Sequence, residues 1–100
     1  MNHFNELLEI NRIITNDSNN IRLDNTEEIC QLLDNFYSKD FNLDEFIKLC
    51  IILFNKQIFY DGNSRTIYTY LIKKLNEYNY TIDSKKVIKE TKELRNIFPL

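Results

Sequence analysis

A chain of 100 residues, 43% apolar, with 13 basic and 15 acidic side chains and a net charge of −2, holds enough material for one core and one domain over residues 1–100. Its positive and negative charges are mixed along the sequence, so there is no basic stripe of the kind that captures DNA or RNA. The longest apolar run, residues 46–54, is broken by Lys48 and too short to span a bilayer, and no leader pattern opens the chain; a cytoplasmic protein without membrane or nucleic-acid partners is expected.

Residues 2–15 place Phe4, Leu7, Leu8 and Ile14 on one helical face, with Asn2 available as a cap. His3, alone near a chain end, is expected to be an exposed side chain rather than a ligand or base. The run Asn16-Asp17-Ser18-Asn19-Asn20 forms turns, because short Asx and Ser side chains compete for backbone hydrogen bonds. Ile21-Arg22-Leu23 then reads as a short extended stretch. Asp24-Asn25-Thr26-Glu27 offers a cap with a glutamate three residues on, and Ile29, Leu32, Leu33, Phe36 and Tyr37 follow at stripe spacing.

Asn42-Leu43-Asp44-Glu45 repeats the capping pattern ahead of a segment that is apolar nearly all round, which predicts a helix at the centre of the domain. Cys30 and Cys50 fall within helical patterns with no histidine at metal-ligand spacing, so both are expected as reduced core residues. Beyond the turn at Gly62, Ile67, Tyr68, Leu71, Ile72, Leu75 and Tyr78 recur at helical steps, and Asn63 is placed to cap this fourth helix. A fifth begins at Asp83 or Ser84 and carries Val87, Ile88, Thr91, Leu94 and Phe98, with Pro99 beyond its end. The lysines of this half are interleaved with Glu77, Asp83, Glu90 and Glu93, as on a solvated face. The fold class is all-α, a bundle of about five helices around a buried central one.

Gly62 is the only glycine in the chain, so its place is where a left-handed backbone or a close approach is needed. Asp61-Gly62 between aromatic and β-branched residues fits a hairpin, but the long apolar run before it and the helical period after it favour helix, turn, helix. With Asn63 as cap, the N–H groups of Gly62 to Arg65 leave the helix start unpaired, with the positive end of the dipole behind them. That is an anion site. Arg65 adds a guanidinium able to grip phosphate, and Asp61 an oxygen for a Mg²⁺ bridging phosphate groups.

The string 57–68 resembles the Fic and Doc signature, His-x-Phe-x-Asp/Glu-Gly-Asn-Gly/Lys-Arg-x-x-Arg, at Phe59, Asp61, Gly62, Asn63 and Arg65. The resemblance implies a helical bundle whose central helix, here residues 42–56, leads into this loop, and a position for residues 19–23 similar to that of a target-docking flap. It also implies transfer of AMP from ATP, or of a phosphoryl group, to a hydroxyl of a target protein. By position, Asp61 would hold Mg²⁺, Gly62, Asn63 and Ser64 would cradle the anion, Arg65 would contact phosphate, and Phe59 would pack beneath the loop.

Three positions depart from the signature. Gln57 stands where the family has its catalytic histidine, and a neutral amide is too weak a base to take a proton from the attacking hydroxyl. Tyr68 replaces the second arginine and Ser64 the Gly/Lys, and the family's self-inhibitory helix motif is absent. Two functions follow as expectations: a nucleotide-binding Fic-like protein with weak, redirected or absent transfer, or a catalytically inert protein-binding module of inhibitory or toxin-related type. For the second, Tyr60, Tyr68, Tyr70, Tyr78 and Tyr80 either furnish an interface or line the edge of the core.

Overall fold

Helix α1 (His3–Thr15) turns Phe4, Leu7 and Ile10 inward at steps of three, and α2 (Thr26–Tyr37) contributes Ile29 and Leu33 at a step of four. In this computed structural model the described residues are 3–22 and 26–80, and within them α3 (Leu43–Asn55) and α4 (Asn63–Glu77) complete an all-helical arrangement. Helix α4 packs on α1 and α3, and α2 packs on the same two. Four helices are thus described where about five are expected from the sequence. The fifth, over residues 83–98, lies outside the described residues, as do the caps assigned to Asn2, Asp24 and Asn25.

Helix α3 supplies the largest share of the core, through Phe46, Leu49, Cys50, Ile51, Leu53 and Phe54. Removing one such side chain from water stabilises the fold by roughly 1.5–3 kcal/mol. The helix is not enclosed on every side, however: Ile52 is 39% exposed, and Glu45 and Lys48 share the solvent face. Its start matches the sequence expectation, since Asn42 is extended and its side-chain oxygen accepts the Glu45 N–H at 3.0 Å. Cys50 is buried and Cys30 half-buried, and both are free thiols. Burial pushes the Cys50 thiol well above its ordinary range.

Of the tyrosines that could furnish an interface or line the edge of the core, Tyr70 goes inside. It is fully buried, and its hydroxyl meets that of half-buried Tyr37. Burial pushes the Tyr37 phenol up to about 12 and carries the Tyr70 phenol upward too. His3 is likewise not free in solvent but stacks on the Tyr37 ring with centroids 4.3 Å apart. Lys74 lies over both tyrosine rings and pairs with Glu6 at 2.6 Å, tying the end of α4 to α1.

The turn from α3 to α4 is short. Gln57 takes a left-handed conformation (φ 50°) that ends α3, and Ile58 and Phe59 then enter the core. Ile21 and Phe59 form an isolated antiparallel bridge, with Arg22 N–H donating to the Ile58 carbonyl at 2.8 Å and Tyr60 N–H to the Asn20 carbonyl at 3.0 Å. Residues 21–22 are therefore extended as expected. The hairpin alternative fails, because helix begins at Asn63 directly after the turn.

Candidate functional site

Gly62 sits at φ 75°, ψ 17°, immediately before α4. A Cβ there would lie 2.8 Å from Thr15 Cγ2 and 3.3 Å from Asn11 Nδ2, so both the backbone angle and the packing of α1 call for glycine. Thr15 cannot easily turn aside, since its Oγ1 donates to the Asn11 carbonyl at 2.8 Å. The lone glycine is thus the point where the loop is pressed against the last turn of α1.

Asn63 does not cap α4, contrary to the sequence expectation. Its side chain is buried and faces back into the loop, where Oδ1 accepts the Phe59 N–H at 3.0 Å and Nδ2 donates to the Phe59 carbonyl at 2.7 Å. The amide therefore satisfies both backbone groups of one buried residue, as a neighbouring strand would. Among the described residues no side chain caps α4.

A second amide does the same two residues along the chain. Asn20 accepts the Asp61 N–H at 3.1 Å and donates to the Asp61 carbonyl at 2.7 Å. Asn11, buried on α1, donates to that same carbonyl at 3.1 Å and to Thr66 Oγ1 at 3.0 Å, and its own oxygen accepts from Asn20 at 3.1 Å. Asn63 at Phe59, and Asn11 and Asn20 at Asp61, hold the inner side of the loop, and Thr66 ties that frame to α4. Sequence reasoning missed Asn11, Asn20 and Thr66. Asn11 left one signal, an amide in the apolar stripe between Leu7 and Ile14; Asn20 left none within a run that reads as turn.

The outer side is open. Gln57, Asp61, Gly62, Asn63, Ser64 and Arg65 line one depression of about 390 Å³, with Phe54 and Tyr60 completing it. The N–H groups of Asn63, Ser64 and Arg65 have no acceptor among the described residues. The Gly62 N–H, expected to be unpaired with them, is taken by Asp61 Oδ1 at 2.8 Å. Asp61 Oδ2 is 4.0 Å from an Arg65 nitrogen, both side chains being largely exposed. Such a surface pair is worth about 0–1 kcal/mol and yields readily to a stronger partner.

Gln57 is exposed, its Nε2 donating to the Phe54 carbonyl at 3.0 Å and its Oε1 accepting from Asn63 Nδ2 at 3.4 Å. Phe59 is buried beneath the loop. Among the described residues no helix is long and apolar enough to cross a membrane, and no cluster of three or more His, Cys, Asp or Glu side chains could hold a metal ion. Comparison of the chain with protein-family models, with curated proteins and with solved structures finds no match.

Proposed function

We propose that this protein is Fic/Doc-like and binds the phosphate groups of a nucleotide such as ATP at the start of α4, with transfer of AMP or phosphoryl to protein hydroxyls weak, redirected or absent. The observation that carries this reading is the junction of three unpaired N–H groups, Asn63 to Arg65, with the exposed Arg65 guanidinium in one open depression. A phosphate chain displacing Asp61 from Arg65 gains a charge-assisted partner, and only a weak exposed pair is lost.

Asp61 is a lone carboxylate, which suits Mg²⁺ only when phosphate oxygens complete the shell, the usual manner in which Mg²⁺ accompanies nucleotides. Asp61 would hold that ion, and Mg²⁺ would supply charge neutralisation across the phosphates. Gln57 stands at the rim with its amide tied to Phe54 and Asn63. Lacking a base there costs roughly 10²–10⁴-fold in any proton-abstracting step.

Incubation of a lysate with α- and γ-labelled ATP, with wild type and with Gln57→His, tests the transfer half. Label transferred only after restoring histidine is the expected outcome, and no transfer by either form rejects a disarmed transferase. Calorimetric titration with Mg²⁺ and ATP tests the binding half: binding lost in Arg65→Ala supports it, and no binding at millimolar nucleotide rejects it.

One observation favours the second reading, an inert protein-binding module. The loop closes on its own groups, Asp61 occupying the Gly62 N–H that a phosphate would take. A stable partner that co-purifies with an Asp61→Ala, Arg65→Ala double variant would support that module over phosphate binding.

A further inference from the structure

Every described tyrosine but one lies against another ring. Tyr37 packs on His3 and Phe36, Tyr68 on Phe54, Tyr70 on Phe46, and both Tyr78 and Tyr80 on Phe41. Tyr60 alone has no ring partner, and at 72% exposure it is the most solvent-accessible large apolar side chain among the described residues. Leaving an aromatic face in water forgoes its burial energy, so a ring kept there in one fixed place invites a reason.

Its place is fixed by the backbone. Tyr60 N–H is held by the Asn20 carbonyl at 3.0 Å, and its two neighbours, Phe59 and Asp61, are each clamped through both backbone groups by Asn63 and Asn20. With the backbone held in this way, Phe59 lies in the core and Tyr60 faces outward. Outward, here, is the depression that also holds Ser64 and Arg65. A flat, sequence-tolerant stacking surface beside an anion-binding helix start matches a molecule with a planar ring at one end and phosphates at the other.

We infer that Tyr60 is the base-stacking platform of the site, receiving the nucleobase of a nucleotide whose phosphates lie on Arg65 and the start of α4. The inference rests on the reading of this loop as a nucleotide-phosphate site, and adds the side chain that receives the base. The ring face carries the interaction, so the phenol oxygen is dispensable.

The test is calorimetric titration of the full chain with Mg²⁺–ATP and, separately, with Mg²⁺–tripolyphosphate, for wild type, Tyr60→Ala, Tyr60→Phe and Arg65→Ala. Wild type is expected to bind ATP about tenfold more tightly than tripolyphosphate, the order of one base–aromatic stack. Tyr60→Ala should lose that advantage and leave tripolyphosphate binding unchanged, while Tyr60→Phe should keep ATP affinity within about twofold. An unchanged ATP affinity in Tyr60→Ala, or an equal loss for both ligands, overturns the platform. In those cases binding that still depends on Arg65 leaves the phosphate site standing. No binding of either ligand by wild type, or binding indifferent to Arg65→Ala, overturns the phosphate site and the platform together. Tyr60 is exposed, so its variants should share the wild-type thermal midpoint, and a matched midpoint confirms that folded proteins are being compared.

Discussion

Helices α3 and α4 begin with the same residue type nearby and use it in opposite ways. Asn42 stands just outside α3 and turns its side chain onto the Glu45 N–H, and Asp44 and Glu45 add negative charge to the first turn. Asn63 is the first residue of α4 and turns away from it, to the backbone of Phe59, while the first turn carries no acid at all. One start is closed by its own chain. The other is left open, and its asparagine is used to shape the loop in front of it. A helix end gives up roughly 1 kcal/mol when its cap is missing, so an uncapped start on an exposed surface is where an external anion gains most.

The largest test of this contrast is Asn63→Ala, which orphans the buried N–H and carbonyl of Phe59 and should lower unfolding stability by about 3 kcal/mol in a urea titration. Asn42→Ala, by contrast, should cost about 1 kcal/mol, the loss of a single exposed cap. Equal losses at the two positions would break the comparison. Gly62→Ala falls between them at about 2 kcal/mol, combining a left-handed angle with the clash on Thr15. Adding Thr15→Ser removes the obstructing methyl and should return about half of that loss, leaving the cost of the backbone angle.

Closing the open start from within is a smaller change with two readouts. Ser64→Asp puts an acid in the first turn of α4 and should raise stability by about 0.5 kcal/mol while weakening phosphate binding in the same sample. An acid that stabilised the helix without affecting phosphate binding would overturn the start of α4 as the proposed phosphate site.

The opposite end of α4 responds to pH. Burial works to raise the Glu6 carboxyl, but hydrogen bonds and charge from Lys74 and Lys73 outweigh it and hold the group below its ordinary value. The folded chain therefore binds this proton less tightly than the unfolded one. The stabilisation is full above the usual carboxylate range and is lost as pH falls through the lowered value. Glu6→Gln should flatten that acid limb in pH-dependent melting and leave the neutral-pH behaviour of α3's start unchanged.

The helices and the glycine turn were legible because each leaves a local mark: apolar residues every three or four positions, an Asx cap before an acidic turn, a single glycine between two helical patterns. The loop's interior was not. Asn11 sits in the apolar stripe of α1 as a polar residue, and only its partners Asn20, Asp61 and Thr66, all outside that helix, explain why an amide is buried there. Asn63 was misread for a related reason. The residue type fits a cap, and only the presence of Phe59 behind it, with two backbone groups to satisfy, decides which way the amide turns. Tyr70 was left open between an interface and the edge of the core because the stripe through Ile67, Leu71 and Leu75 fixes a face without fixing its width.

The asparagine frame also gives the loop a chemical lifetime. Each of its amides donates on one side and accepts on the other, and slow hydrolysis to aspartate would leave only acceptors and a negative charge facing the Phe59 or Asp61 carbonyl. Amide side chains are among the groups that heat damages first. Loss of any one of these amides would thus disturb the open face of the loop directly, a change that mass spectra read as a gain of about one dalton.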